Sequence, residues 1–215
     1  MMIFVAFGLS YLLGSFPTAY LMGRFVQGID IRTLGSGNAG ATNVFRILGW
    51  KAALPVIFID ILKGFLPVFF FSDWLNGSWQ NFGGLLSNDT TALFKIFCGI
   101  FAIVGHVFPL YTGFRGGKGV LTALGVILAL TPLASFFALI IALSVLFITR
   151  IVSPASLTGA LVYPIIVFFI ATHETHYYFY FSLLCAWIIV WTHRSNILRL
   201  ARGEEKKIFN SQKKT

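Results

Sequence analysis

The stretch VLTALGVILALTPLASFFALIIALSVLFI, residues 120–148, decides the fold because no charged side chain occurs anywhere along it. A single helix over this stretch would extend about 43 Å at 1.5 Å per residue, whereas the hydrocarbon core of a membrane is about 30 Å thick. That length is too great for one upright crossing and too small for two full ones. Leu130-Thr131-Pro132 is the only turn signal in it, so we predict two short helices that meet at a tight turn near Pro132.

The rest of the chain has the same character. Of its 215 residues 57% are hydrophobic and 11% are charged, against roughly 25% charged in a soluble domain. A water-soluble fold is therefore excluded, and we predict an all-α integral membrane protein with polar loops and a short interfacial helix. We predict one domain over residues 1–215, with seven spans at residues 2–23, 52–72, 93–112, 119–131, 134–149, 157–172 and 177–192, and a basic tail at 193–215. The first run lacks a basic n-region and a cleavage site, so we interpret it as a retained span.

The basic residues gather on one side of this layout. The loops of that side hold Arg24, Arg32, Arg46, Lys51, Arg115, Lys118, Arg150, Arg194, Arg199, Arg202, Lys206, Lys207, Lys213 and Lys214. By the positive-inside rule that side is cytoplasmic, so the N-terminus lies outside and the C-terminal tail lies inside. The net charge of +9 thus reflects orientation and a partner role for anionic membrane lipid, and we expect no nucleic acid.

Four residues inside the apolar runs call for an interpretation. Asp60 and Lys63 are three residues apart on one helix face, where we predict a structural ion pair, although an intramembrane charge is also a candidate functional site. Cys98 and Cys185 have no motif spacing, so we interpret them as small core or lipid-facing residues.

The first polar segment is GSGNAGATNVFR, residues 35–46. Glycines let backbone N–H groups approach an anion, while Ser, Asn and Arg side chains add hydrogen bonds and charge. We predict a short helix from Ala39 to Leu48 with its N-terminal N–H groups facing a phosphate. A merely flexible turn would not require Asn38, Thr42, Asn43 and Arg46 together.

The second polar segment contains GFRGGKG, residues 113–119. It has the composition of a phosphate cradle, with glycine amides between two cations, but not the spacing of a Walker A loop, so ATP is not implied. His106 lies about two turns inside the preceding span, where a structural hydrogen bond to a neighbouring helix is at least as favoured as catalysis.

Two further segments lie on the same side of the membrane. RIVSPAS, residues 150–156, carries one cation and two hydroxyls and is weak evidence alone, because Ser-Pro is ordinary turn chemistry. HRSNILRL, residues 193–200, begins where the last span ends. In a helix His193 and Asn196 share a face, and we expect Arg199 to lie outside that face. We interpret His193 and Asn196 as a candidate site.

Together these segments suit a phosphorylated small molecule that approaches from the cytoplasm. The sequence contains no metal-ligand spacing and few cytoplasmic carboxylates, so we expect no metal and no cofactor. Phosphoryl or acyl transfer fits this composition, whereas redox chemistry has no support. A membrane transporter of an organic phosphate is the alternative, although it would need a polar path near the bilayer midplane.

Five motifs resemble those of the bacterial acyl-phosphate-dependent glycerol-3-phosphate acyltransferases, the PlsY family. They are GSGNAGATNVFR at 35–46, DILKG at 60–64, GHVFP at 105–109, GFRGGKG at 113–119 and HRSNI at 193–197. They occur in family order over nearly the whole chain. The resemblance implies transfer of a fatty acyl group from acyl phosphate to the 1-hydroxyl of sn-glycerol 3-phosphate, giving lysophosphatidic acid and inorganic phosphate, the first acylation of bacterial phospholipid synthesis. It also implies seven helices in the bacterial inner membrane and an active site in the cytoplasm.

The site residues follow from the resemblance and from the loop chemistry together. The predicted catalytic residues are Ser36, Arg46, Lys118, His193 and Asn196. The predicted substrate-binding residues are Gly35, Gly37, Asn38, Thr42, Asn43, Arg115, Gly116, Gly117, Gly119, Ser153 and Glu204. The third segment departs from the Ser-rich family pattern, which leaves open whether Ser153 or Ser156 is the functional serine.

Three questions stay open at this stage. Either His193, oriented by Asn196, or a substrate phosphate oxygen could accept the proton of the glycerol hydroxyl. The preferred acyl-chain length depends on a groove that residue spacing does not define. The oligomeric state is also undetermined, and a monomer is the working expectation.

Overall fold

The computed structural model describes residues 2–71, 88–170 and 176–208, and within these ranges it contains helices and no strand. The α-helices are α1 Met2–Gly14, α2 Thr18–Gln27, α3 Ala41–Leu48, α4 Trp50–Leu66, α5 Asn88–Val107, α6 Val120–Leu130, α7 Pro132–Thr149, α8 Val152–Ile170, α9 His176–Thr192 and α10 Arg194–Ala201. Short 3₁₀ helices at Ile31–Thr33 and Leu110–Thr112 precede the two glycine-rich loops, and a π-helical turn at Pro67–Phe71 extends α4.

Five helical segments are long and apolar enough to cross a membrane. They are Ile3–Gln27, Trp50–Phe71, Thr90–Thr112, Pro132–Thr149 and Val152–Ile170, and each overlaps one of the predicted spans. Helix α6 is apolar but only 11 residues long, which is about 16 Å at the usual helical rise. Five of the seven predicted spans are therefore supported by length and composition.

The first predicted span, residues 2–23, is interrupted in the structure. Helix α1 ends at Gly14 and α2 begins at Thr18, because Pro17 has no N–H to continue the helical hydrogen bonds. The predicted ion pair stabilises this break: Lys63 Nζ lies 2.8 Å from Asp60 Oδ1 and donates to the Phe16 carbonyl at 3.0 Å. The Asp60–Lys63 prediction is confirmed, and its structural role is to satisfy backbone at the interruption.

The long apolar stretch divides where its only turn signal lies. Helix α6 ends at Leu130 and α7 starts at Pro132, with Thr131 between them in a non-helical conformation. Helix α6 packs closely against α4, because a methyl group on Gly64 would overlap the Thr122 carbonyl and one on Gly125 would overlap the Ile61 carbonyl. Small residues at such crossings let membrane helices approach closely. This packing fixes the position of the N-terminal part of α6, which follows closely after Lys118.

The segment after α10 folds back over the end of the bundle at which α7 ends and α8 begins. Arg150 ends α7 in a left-handed conformation, and its carbonyl accepts a hydrogen bond from the Ile208 N–H at 2.8 Å. The Glu204 N–H donates to the Arg199 carbonyl at 2.8 Å. These bonds hold residues 202–208 across the ends of α7 and α10, which places Glu205 above the start of α8.

Candidate active site

The first glycine-rich loop, residues 34–40, is built around a buried amide on α3. The Asn43 side chain is fully buried; its Oδ1 accepts the Ser36 N–H at 2.9 Å, and its Nδ2 donates to the carbonyls of Ile31 at 2.8 Å and Leu34 at 3.0 Å. Gly35 has a φ of 64°, and a methyl group there would overlap Asn43 Oδ1. Asn43, a predicted substrate ligand, therefore uses its amide to shape the loop.

The other predicted residues of this loop face outward to different degrees. Ser36 is exposed, whereas Asn38 and Thr42 are half-buried. The predicted short helix is present and begins at Ala41. The amides of Ser36 and Gly37 already donate to Asn43 Oδ1 and to the Leu34 carbonyl, so the first loop offers a phosphate its exposed Ser36 hydroxyl and not these two N–H groups.

The second glycine-rich loop, residues 113–119, is built by backbone hydrogen bonds to the end of α5. The Gly116 N–H donates to the Val107 carbonyl and the Gly117 N–H to the His106 carbonyl, each at 3.2 Å. A methyl group on Gly116 would overlap the His106 carbonyl, and one on Gly117 would overlap the His106 ring. The N–H groups of Gly116 and Gly117, which were expected to bind phosphate, are thus occupied, and these two glycines allow the loop to pass close to the end of α5.

The second loop delivers Lys118 to a buried polar cluster. Lys118 Nζ donates to Asn196 Oδ1. The Asn196 amide nitrogen donates to Ser153 Oγ at 2.8 Å and to Glu205 Oε1 at 2.6 Å. Ser153 Oγ donates to the same carboxylate oxygen at 2.5 Å, and Arg199 Nε donates to Glu205 Oε2 at 2.6 Å. We call these five residues the Glu205 cluster; they unite the second loop, α8, α10 and the returning tail.

The two serines and the two neighbouring carboxylates differ in their surroundings. Ser153 is buried in the cluster, whereas Ser156 lines an apolar cavity one turn further along α8. Glu204 is exposed, and its neighbour Glu205 is the carboxylate that faces Ser153 and Asn196. The one-residue difference arises because the turn at Gly203, with a φ of 70°, directs Glu205 inward.

Arg46 approaches the cluster from the first loop's helix. Its Nη2 donates to the Lys206 carbonyl at 2.9 Å, and its Nε is buried without a hydrogen-bond partner among the described residues. Burial lowers the pKa of Arg46, the Glu205 carboxylate opposes that shift and Arg199 reinforces it. Arg46 therefore lies within electrostatic reach of Glu205, while Arg115 is exposed on the second loop.

His193 lies at the junction of α9 and α10 and is almost fully buried. Its Nδ1 lies 2.8 Å from the Ile189 carbonyl, which can only accept, so a neutral ring carries its proton on Nδ1 and keeps a lone pair on Nε2. Burial and the nearby Lys118 charge lower the pKa of His193 to about 4. The imidazole is therefore neutral at pH 7 and has the protonation state of a base.

The surroundings of Lys118 lower the pKa of its side-chain amine. Burial lowers the pKa of Lys118 to about 8, the Glu205 carboxylate opposes that shift, and the charges of Arg199 and Arg46 reinforce it. Three cations thus surround one carboxylate, which leaves about two positive charges to balance a phosphate dianion. The Thr192 hydroxyl donates to the Lys118 carbonyl at 3.1 Å, which ties this loop to the residue preceding His193.

An apolar cavity begins beside the cluster. It has a volume of about 100 Å³, and helices α6, α7, α8 and α9 line it. Val120, Ser156 and Ile189 stand at the end nearest Lys118, Ser153 and His193 along their helices, and Ser135 and Tyr163 stand at the other end. In the part of the chain that the structure describes, no group of His, Cys, Asp or Glu side chains could hold a metal ion.

Comparison with known proteins gives a consistent result. Residues 4–203 match the family model described as glycerol-3-phosphate acyltransferase. The chain belongs to this family. A glycerol-3-phosphate acyltransferase of Prochlorococcus marinus (strain MIT 9215) is 42% identical over 203 residues, covering 94% of this chain and 96% of that one. The same-named protein of Chlorobium phaeobacteroides (strain BS1) is 37% identical over 232 residues, covering 95% of each chain.

Two solved structures are similar to this glycerol-3-phosphate acyltransferase family member. The crystal structure of PlsY (YgiH), an integral membrane glycerol 3-phosphate acyltransferase, in its glycerol 3-phosphate form has a TM-score of 0.82 and 32% identity, covering 96% of both chains. Its lysophosphatidic acid form has a TM-score of 0.79, covering 96% and 95%. The predicted PlsY-family membership and enzyme class are confirmed, and the transporter alternative is set aside.

Two residues of the acyltransferase's cluster escaped the sequence analysis. The expectation that Arg199 lies off the face of Asn196 is wrong: it is three residues after Asn196, a spacing that places both on one face of α10, and both donate to Glu205. Glu205 is adjacent to the predicted Glu204 and lies beyond the helix, where no periodicity distinguishes the two carboxylates. Only the turn after α10 decides which of them faces the site.

Proposed function

We propose that this acyltransferase moves a fatty acyl group from acyl phosphate to the 1-hydroxyl of glycerol 3-phosphate. The hydroxyl oxygen attacks the acyl carbonyl carbon, the bond from that carbon to the phosphate oxygen breaks, and the hydroxyl proton passes to a base. The products are lysophosphatidic acid and inorganic phosphate. The observation that carries this proposal is the Glu205 cluster, which gathers Lys118, Arg199 and nearby Arg46 beside the neutral His193.

The cations provide the binding energy for the phosphorylated acceptor. Hydrogen bonds between charged partners are roughly twice as strong as neutral ones, and Arg can bind phosphate through two N–H groups at once. In this proposal Lys118 and Arg46 bind the phosphate of glycerol 3-phosphate. Phosphate is a good leaving group, so the enzyme has mainly to position the two substrates and neutralise the developing charge. The exposed Ser36 hydroxyl then donates to the reacting centre.

His193 is the first candidate for the base. Its Nε2 lone pair is free when Nδ1 donates to Ile189, and a bound phosphate dianion would offset the Lys118 charge that lowers its pKa. The His193→Ala variant is expected to lower turnover by about 10²–10⁴ with folding intact. Turnover near that of the wild type would remove His193 from this role and assign the proton to a substrate phosphate oxygen.

The apolar cavity is the proposed site of the acyl chain. It continues from the cluster along α6, α7, α8 and α9, so a donor whose acyl carbonyl lies at the reacting centre would direct its chain into it. Every methylene group of the acyl chain buried there contributes about 0.8 kcal/mol to the binding free energy of the donor. Gly159 and Ala142 line it where α8 and α7 meet, because a methyl group on Gly159 would lie 3.0 Å from Ala142 Cβ; at these positions side-chain size is expected to affect the preferred chain length.

The proposed setting is the bacterial inner membrane. The apolar α6 and the 17-residue α9 complete seven crossings in this proposal, with the N-terminus outside and the C-terminus and active site in the cytoplasm. The distribution of basic residues supports this orientation. A single copy of the chain supplies the cluster, in keeping with a monomer.

The donor is tested directly on the purified protein in lipid. Acyl phosphate and glycerol 3-phosphate are supplied without added metal, and released phosphate and lysophosphatidic acid are measured together. We expect equal amounts of both products, and far slower acylation when acyl-CoA or acyl carrier protein replaces acyl phosphate at the same concentration. Acylation supported only by acyl-CoA or acyl carrier protein would overturn the proposed donor.

A further inference from the structure

A buried polar network that the proposed chemistry does not use lies where the interior of α4 meets the C-terminal end of α5. Asp60 accepts from Lys63 at 2.8 Å and from Thr18 Oγ1 at 3.1 Å, and His106 Nδ1 lies 3.9 Å from the same carboxylate oxygen. His106 Nδ1 also lies 3.0 Å from Thr122 Oγ1. All five residues are buried. Removing charged groups from water costs free energy, and this cost is offset only when the groups pair with each other and with hydrogen-bond partners.

The network lies directly beneath both glycine-rich loops. A cavity of about 10 Å³ separates them, with room for at most one water molecule. Ala39 of the first loop and Gly116 and Gly117 of the second line it together with Asp60, Lys63 and His106. The two loops also approach each other here, because a methyl group on Gly117 would lie 2.9 Å from the Ala39 carbonyl.

His106 holds the second loop on both sides of Lys118. On the N-terminal side of Lys118, the His106 backbone carbonyl accepts the Gly117 N–H at 3.2 Å, and the His106 ring packs against the Gly117 Cα. On the C-terminal side of Lys118, His106 Nδ1 forms a hydrogen bond with the Thr122 hydroxyl, in the first turn of α6. Lys118 lies between these two attachments, so its backbone position depends on the orientation of the His106 ring.

We propose that His106 is a positioning residue that sets the place of Lys118, with the Asp60–Lys63 pair fixing its ring. The side chain of His106 does not touch the substrate in this account; it acts through Thr122 and Gly117 on the loop that carries the cation. The proposal rests on the proposed function only in assigning Lys118 to the phosphate of glycerol 3-phosphate. It predicts that acceptor binding, and not donor binding, depends on the His106–Thr122 contact.

Thr122→Val tests this contact with little change of shape, because it removes the hydroxyl and keeps the branched side chain. The KM for glycerol 3-phosphate is expected to rise about five- to tenfold, the range for one buried hydrogen bond. The KM for the acyl donor and kcat are expected to stay within about twofold. Thr122→Ser, which keeps the hydroxyl, should restore acceptor binding. Ser144→Ala is the matched control, because its hydroxyl bonds only within α7 at an exposed position.

A double-variant cycle tests whether the effect runs through Lys118. Thr122→Val should add no further weakening of acceptor binding in the Lys118→Ala background, since residues that act through one group are not additive. His106→Ala should match Thr122→Val, with His106→Asn partly restoring it. Should His106→Ala fail to fold, the Thr122 variants decide the question.

Direct titration of glycerol 3-phosphate without any acyl donor separates this proposal from the proposed reaction. Weakened binding in Thr122→Val supports the positioning role, whichever acyl donor proves correct. Unchanged acceptor binding, a loss confined to kcat, or full additivity with Lys118→Ala would each overturn it.

Discussion

The two glycine-rich loops have similar compositions but are held in different ways. The first is arranged around the Asn43 side chain, whose amide makes three hydrogen bonds to loop backbone, and it leaves Ser36 exposed. The second is bonded through backbone to the end of α5 and buries Gly117 and Gly119. One loop thus presents a free hydroxyl from a stable turn, and the other fixes a cation against a buried cluster.

This difference shows that glycine serves distinct purposes in segments that look alike in sequence. In the first loop Gly35 and Gly37 permit a left-handed backbone, with φ values of 64° and 71°. In the second, Gly116 and Gly117 allow the chain to pass against the carbonyl and ring of His106. A substitution is therefore expected to have a different effect in each loop.

Among glycine substitutions in the two loops, the largest expected effect is that of Gly117→Ala. The added methyl group would overlap the His106 ring, which cannot turn away without losing its bond to Thr122. Displacing Lys118 by about 1 Å should reduce kcat/KM for glycerol 3-phosphate about 10²-fold.

Gly37→Ala is the matched change in the first loop. The nearest atom to its methyl group is the Arg32 carbonyl oxygen at 3.4 Å, so only the left-handed backbone is strained, by about 1–2 kcal/mol. A loss of no more than about tenfold is expected in the same assay. Equal losses in the two variants would contradict the distinction between the loops.

Asn43→Ala addresses how the first loop is held. It removes one acceptor and two donors from a fully buried position, so the free energy of unfolding should fall by about 3 kcal/mol. Thermal unfolding in detergent measures this. Thr33→Ala, which removes one exposed hydrogen bond to the Asp30 carbonyl, should change stability by less than about 1 kcal/mol. Similar stability of Asn43→Ala and wild type would show that the loop does not depend on this amide.

The smallest expected effect is a pH dependence that belongs to the second loop. Lys118 has a pKa lowered to about 8, so its amine is charged below that pH and loses its charge above it. A phosphate monoester with a second pKa of about 6 is already a dianion throughout this range. In the wild type, kcat/KM for glycerol 3-phosphate should therefore decline severalfold as pH rises from 7.5 to 9.5.

Lys118→Arg provides the comparison, because a guanidinium keeps its charge over this range. The altered geometry is expected to lower its absolute activity, and its pH profile should remain flat up to pH 9.5. A decline of the same size in Lys118→Arg would assign the titration to another group.

Much of the fold followed from the sequence because apolar length and turn signals act locally. The break at Pro132, the short helix before Leu48 and the Asp60–Lys63 pair each depend on neighbouring residues only. The sequence analysis missed the interruption of the first span, although Pro17 is itself a local signal; the contact of Lys63 with the Phe16 carbonyl comes from a different helix. Contacts that join distant segments are not visible in a one-dimensional pattern.

The site was predictable in its residue types and less so in its arrangement. Lys118, Asn196 and Ser153 do meet, as their shared side of the membrane indicated. The glycine amides were expected to bind phosphate, but Gly116 and Gly117 donate to backbone carbonyls. Which N–H groups remain free depends on the loop's exact path, and composition alone does not determine that path.

The central claim is that Lys118, held in the Glu205 cluster, binds the phosphate of glycerol 3-phosphate. Its most direct test is the pair of KM values in Lys118→Ala, measured in lipid with acyl phosphate as donor. Loss of one charged hydrogen bond should raise the KM for glycerol 3-phosphate about 10- to 100-fold and leave the KM for the donor within about twofold. Unchanged affinity for glycerol 3-phosphate would contradict the claim.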